Sequence, residues 1–210
     1  MRIMITILFL SLLSTGAHAQ FKWDLKKDED GIKVYTSSTA NSNFKSIKII
    51  CTVKATQAQL VAFLLDLIKQ HEWVYNTKST QLLKTVQPNE LIFYSEVSVP
   101  WPCTNRDYIA HFVITQVSPQ LLTIDSHAEP WFIPAKAGLV RVEKSIAHWE
   151  VTAVSGGLQI VYTLQFDPGG DIPAWLTNLF ITKGPLQTFQ KLREEISKPE
   201  YLNAHVDFIK

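Results

Sequence analysis

Two periods of apolar and polar residues alternate along this chain. Over residues 157–167, "GLQIVYTLQFD", the period is two. Leu158, Ile160, Tyr162, Leu164 and Phe166 fall on one side, and Gln159, Thr163 and Gln165 on the other. That spacing predicts a strand with one buried face. Residues 31–38 and 44–55 are rich in β-branched residues and flank the polar loop "TANSN", which reads as a hairpin. Further strands are predicted over 79–86, 90–99, 106–117, 120–128 and 139–153, separated by proline- and glycine-bearing joints such as "QPNE", "SPQ" and "PWFIPAKAG".

The period changes twice. In "TQAQLVAFLLDLIK" (56–69), Leu60, Phe63, Leu64 and Leu67 recur at helical spacing, and Thr56 is placed to cap the start. A polar-aromatic turn, "HEWVYN", follows. At the C-terminus, Asp171 is a candidate cap and Pro173 is tolerated in a first turn. Trp175, Leu176, Leu179 and Phe180, then Leu186, Phe189, Leu192 and Ile196, fit one helical stripe. Gly184-Pro185 predicts a kink in it and Pro199 its end. The expected fold class is α+β: a curved antiparallel sheet, one helix inserted after the early strands, and a long amphipathic C-terminal helix over the concave face. That arrangement makes either a filled core or a pocket.

The first residues do not fit this plan. "MRIMITILFLSLLSTGAHAQ" has one positive charge (Arg2), an apolar run from Ile3 to Leu13, and a small-residue exit at Ala17-His18-Ala19. These are the regions of a secretory signal peptide, with cleavage expected after Ala19. The run is short of the roughly 20 apolar residues that span a bilayer. The domain is therefore expected over 20–210, exported to the periplasm or secreted. Lys and Arg number 20 against 19 Asp and Glu, and loss of Arg2 brings the balance to zero. A neutral surface argues against nucleic-acid binding, which needs clustered cations on phosphate, and against long-range attraction to anionic membranes. Export makes a bridge between Cys51 and Cys103 chemically possible. Two small buried hydrophobes are the alternative.

Catalytic signatures are missing. There is no glycine-rich phosphate loop, no G-x-S-x-G and no H-E-x-x-H. His71, His111, His127, His148 and His205 show no metal-ligand spacing, and the cysteines form no C-x-x-C. Neither a metal nor a cofactor is expected.

One stretch carries an unusual pair of charges. In "VPWPCTNRDYIAHF" (99–112), Arg106 and Asp107 open an apolar strand. This segment resembles the corresponding element of START domains, the StAR-related lipid-transfer family, which commonly carry an Arg-Asp-aromatic step there. "WDLKKDEDGIKVYT" (23–36), "HEWVYNTKSTQLLK" (71–84) and "GGDIPAWLTNLFITKGPLQTFQKLREEI" (169–196) resemble the family's opening, its Trp-containing turn and its closing element, in order. The resemblance implies a helix-grip fold with a lipid-sized tunnel between sheet and helix. It also implies that the strand face bearing Arg106, Tyr108, Ala110 and Phe112 looks inward.

An inward charge needs a partner, because stranding it costs several kcal/mol. Glu96, on the preceding strand with Ile92 and Tyr94, is the expected partner of Arg106. The alternative is that Arg106 ties the strand's start to a loop carbonyl or to Asp107. Sterol-binding animal members place another Arg six residues on, where this chain has Phe112, a departure that weakens the carry-over of sterol specificity and leaves phospholipid, sphingolipid, sterol and fatty acid all open. The resemblance thus nominates Tyr94, Glu96, Arg106, Tyr108, Phe112, Tyr162, Trp175, Leu179 and Phe180 as ligand contacts. Trp131, Phe132 and Ile133, at the tip of a proline-bounded loop, are nominated as a gate or membrane contact. The expected function is non-catalytic lipid binding and transfer with transient membrane contact. A pocket enzyme of the same superfamily, cyclase- or hydrolase-like, and a filled-core structural protein are the alternatives.

Overall fold

The computed structural model describes residues 22–38, 45–170, 172, 176 and 179–210. The expected signal peptide, the "TANSN" loop, the Asp171 cap and Trp175 lie outside the described residues. Ten strands form one sheet: β1 (Asp24–Glu29), β2 (Ile32–Ser38), β3 (Lys45–Val53), β4 (Thr77–Gln87), β5 (Glu90–Val97), β6 (Arg106–Ser118), β7 (Leu121–Ala128), β8 (Val140–Arg141), β9 (Lys144–Val154) and β10 (Gly157–Asp167). Their order is β1-β2-β3-β10-β9-β7-β6-β5-β4, antiparallel throughout, and the two-residue β8 pairs parallel with β6. The expected strand over 139–153 is thus two strands, because β8 serves β6 before β9 joins β7.

β1 is an addition to the expected plan. Its six residues, "DLKKDE", are all exposed and show no alternation. What forms it is the turn: Asp30 (φ 52°) and Gly31 (φ 70°) supply the two left-handed positions of a tight hairpin onto β2. Register shifts along β4–β5 mark bulges, which bend the strands and curl this end of the sheet.

The inserted helix α1 (Gln57–Leu65) begins with a complete capping box. Thr56 Oγ1 accepts from Gln59 N–H at 3.2 Å, and Gln59 Oε1 accepts from Thr56 N–H at 2.7 Å. A 3₁₀ turn (Leu67–Lys69) and a short helix α2 (Gln70–Trp73) follow, so the expected turn is helical as far as a buried Trp73. The C-terminal element runs through a π-helical turn (Leu179–Lys183) into α3 (Gly184–Glu195), and Pro199 opens a last turn, α4 (Pro199–Leu202). Pro185 explains the π turn. It has no N–H to donate, and its ring crowds the carbonyl four residues back, so the helix widens there.

Leu186, Phe189, Leu192 and Ile196 are buried against the concave face, where Ile47, Ile49, Leu158 and Ile160 meet them in one core. A separate small cluster, Ile92, Tyr94 and Ile109 with Leu83 and Ile133, sits on the outer face. Both cysteines are free: Cys51 is buried, and Cys103 is partly exposed. Burial pushes the Cys51 thiol up to about 11, against the opposing pull of Arg193. No helix among the described residues is long and apolar enough to cross a membrane.

Candidate ligand pocket

Strand parity decides what faces the helix. β10 directs Tyr162, Leu164 and Phe166 inward, β6 directs Arg106, Tyr108, Ala110 and Phe112 inward, and β9 adds Ala147 and Trp149. Phe180, Pro185 and Phe189 close the space from above. Between them lies a pocket of about 280 Å³. Trp149, Tyr162 and Phe189 stack in a triangle, with ring centroids 4.8 to 5.5 Å apart. Phe93 meets Tyr108 and Phe112 edge to face.

Five of the nominated residues therefore come together in the pocket wall: Arg106, Tyr108, Phe112, Tyr162 and Phe180. Leu179 lies in the π turn next to Phe180. Tyr94 and Glu96 are elsewhere. Directly paired antiparallel residues share a face, and β5 and β6 pair Val97 with Arg106 and Glu96 with Asp107. Val97 and Phe93 consequently line the pocket, while Tyr94 and Glu96 point to the outer face. Glu96 there accepts from Lys78 Nζ at 2.8 Å and Asn105 Nδ2 at 3.3 Å, and the Lys78 contact holds its carboxyl below the usual range.

The expected Arg106–Glu96 pair is thus replaced by the alternative. Arg106, 5% exposed, donates from Nε to Pro168 O at 3.3 Å, from Nη2 to Gly169 O at 3.1 Å and from Nη1 to Thr104 O. Carbonyl dipoles from the two segments it joins stabilise the cation. Asp107 serves the other side: its carboxylate takes Arg141 Nε at 2.9 Å and Nη2 at 3.0 Å in a two-point pair, with both side chains buried. Arg141 Nη1 also donates to Pro130 O and Ile133 O, anchoring the 129–138 loop to the outer face.

The nominated gate residues are on that loop and outside the pocket wall. Trp131 and Phe132 are exposed, at 81% and 41%, and Ile133 packs on the outer cluster. Trp101, 90% exposed on the neighbouring segment, was not nominated. Its signal was present in the sequence as a tryptophan between two prolines.

The pocket's hydroxyls do not ionise at ordinary pH. Burial raises both Tyr108 and Tyr162, the latter far above its ordinary 10.0. Among the described lining residues, no carboxylate and no histidine joins Arg106. The wall shields apolar surface and offers a few neutral hydrogen-bonding groups and one cation at its end.

Comparison with known proteins agrees with this architecture. A family model described as START domain matches residues 11–200. The uncharacterized protein PA1579 of Pseudomonas aeruginosa is 31% identical over 195 residues, spanning 92% of this chain and 96% of its own length. Phosphatidylcholine transfer protein of Bos taurus is 26% identical over 163 residues, 74% of this chain and 75% of its own. The solved StAR-related lipid transfer protein of Xanthomonas axonopodis superposes with a TM-score of 0.77 at 30% identity, covering 84% of this chain and 99% of that one. With a match over nearly its whole length and a helix-grip fold to go with it, this chain belongs to the START-domain family.

Proposed function

We propose that this protein binds a lipid in the pocket beneath its C-terminal helix and carries it between membranes without chemical change. The observation that carries the reading is the apolar pocket, whose described wall pairs no acid with a base. The lipid-transfer function of the named relatives supports it. Each methylene hidden from water is worth about 0.8 kcal/mol, so a 16-carbon chain is worth on the order of 12 kcal/mol to a carrier that shields it. Arg106, Tyr108, Phe112, Tyr162 and Phe180 are the proposed ligand contacts, and Trp175 and Leu179 are proposed with them from their places in the sequence.

At about 280 Å³ the pocket is near the floor of the range, roughly 300–1,000 Å³, that small-molecule sites span. A two-chain lipid therefore enters with outward movement of the C-terminal element. The π turn ahead of Gly184-Pro185 is where that element yields, because its backbone ladder is weakest there. Docking is assigned to Trp101, Trp131 and Phe132. The reading includes export, supported by Arg2, the apolar run and the Ala17-His18-Ala19 exit.

Native mass spectrometry of protein purified without detergent, followed by extraction and lipid identification, tests it. One co-purifying lipid per chain is the expected result. Lipid-free protein that takes up none of the phospholipids, fatty acids or sterols offered to it would overturn the carrier reading.

A further inference from the structure

The outer face of the sheet carries a second cluster of chemical groups, on the opposite side from the pocket. β6 sends Ala110 and Phe112 inward and His111 outward, and the register sets His111 directly beside His127 of β7. The two imidazoles lie edge to face with centroids 4.9 Å apart at 65°. Glu129, just past β7, is held by its N–H donating to Ile109 O at 2.9 Å. Its Oε1 stands 3.1 Å from His127 Nε2 and 3.8 Å from His111 Nδ1. Glu90, from β5, meets the other nitrogen of His111, Nε2, at 2.7 Å.

That last contact fixes the chemistry of the first ring. In the tautomer that this short approach favours, Nε2 of His111 carries the ring proton and Glu90 accepts it. Nδ1 then turns a lone pair toward the carboxylate of Glu129, and two acceptors face each other with no donor between. A carboxylate behind a histidine whose other nitrogen is free is the order in which proteins support metal-binding imidazoles.

We propose that His111, His127 and Glu129 bind a divalent first-row transition ion of the zinc class, with Glu90 orienting His111. Two imidazoles and one carboxylate, with no thiolate, suit zinc, nickel or copper rather than magnesium or calcium. The three donor atoms lie within 4.8 Å of one another. In a tetrahedral zinc site with bonds of about 2.0–2.1 Å, ligand atoms stand about 3.3 Å apart. The widest gap therefore has to shorten by about 1.5 Å. His127 and Glu129 are free to turn that far, because their side chains are 51% and 41% exposed. Three protein ligands leave the fourth position open to water. Among the described residues no other group of three His, Cys, Asp or Glu side chains comes together in this way. The ion would tie β6 and β7 to the root of the 129–138 loop, and the site stands apart from the lipid reading because no pocket residue takes part.

Isothermal titration of chelator-treated protein with zinc near neutral pH, in a Cys103→Ser background to remove the accessible thiol, tests the assignment. We expect one zinc per chain. His111→Ala and His127→Ala should each abolish saturable binding, and Glu90→Gln should weaken it about 10- to 100-fold. His205→Ala, an exposed histidine elsewhere, should leave it unchanged. Thermal melts report whether each variant is folded, and His127→Gln replaces the alanine variant if that one is not. Absence of one-to-one binding, survival of binding in the His111→Ala/His127→Ala double variant, or displacement of zinc by excess magnesium would overturn the proposal.

Discussion

Arg106 and Asp107 are neighbours in the chain and serve opposite sides of the sheet. Arg106 crosses to the carbonyls of Thr104, Pro168 and Gly169, and Asp107 holds Arg141 on the outer face. Removing one member of the buried Asp107–Arg141 pair leaves the other charge stranded, so Asp107→Ala should cost about 3–5 kcal/mol. The Asp107→Ala/Arg141→Ala double variant should cost clearly less than the sum of the two singles, as urea midpoints will show. The pocket tyrosines set a pH dependence of the opposite kind from carboxylates. Burial raises Tyr108 and Tyr162 above the unfolded value near 10, so above that pH the folded chain keeps protons that the unfolded chain has lost. The contribution of these two groups to stability is then constant below about pH 10 and falls as pH rises, by at most about 1.4 kcal/mol per unit for each group. Tyr162→Phe should flatten the alkaline slope of the urea midpoint, and an unchanged slope would contradict a buried, neutral hydroxyl. Strand parity put Arg106, Tyr108 and Phe112 on one face in the sequence, and the family resemblance supplied the expectation that this face looks inward. The partner strand's register was not legible, because it depends on how many residues the 98–105 segment spends turning. A slip of one position exchanges Glu96 for Val97 opposite Arg106.

Elements were legible where period and punctuation agreed. The Thr56 cap with the helical spacing of α1 and the alternation of β10 each name one structure, and both formed. β1 shows the converse: "DLKKDE" has no apolar period, and only Asp30-Gly31 announces its hairpin. The kink expected at Gly184-Pro185 takes the form of a π turn, a distinction that composition does not encode. Its consequence is testable. Pro185→Ala restores an N–H and lets an ordinary α-helical ladder run through residues 179–186. Hydrogen exchange there should slow, and lipid transfer between vesicles should slow with it. Unaltered transfer in a variant with slowed exchange would show that the C-terminal element does not gate the pocket.

At the scale of the whole molecule, the exposed aromatics among the described residues gather at one end. β6 starts and β7 finishes at the same edge, since Ala110 pairs with Ala128, and Val140 N–H donates to Asn105 O at 3.0 Å. The Trp101 segment and the Trp131–Phe132 loop are therefore side by side, at the end where Arg106, Val142 and Pro168 line the pocket. Two cations of this region are already engaged. Lys136 lies 3.7 Å from the centre of the Tyr94 ring, and Arg141 is spent on Asp107. What is left for a membrane is tryptophan and phenylalanine, side chains that favour the bilayer interface. Trp131→Ala/Phe132→Ala should therefore slow transfer between neutral vesicles about tenfold, equivalent to about 1.4 kcal/mol of lost interfacial binding. Trp101→Ala should add to that loss. The lipid content of the purified variants should stay as it is, because none of the three side chains lines the pocket. Salt provides the separating control: attraction by exposed cations weakens as the Debye length shrinks, whereas partition of aromatic rings does not. Transfer by the wild-type chain that persists from low to high salt and falls in the aromatic variants fits docking by these loops. Transfer that collapses with salt and ignores the substitutions would move the docking surface to some other part of the molecule.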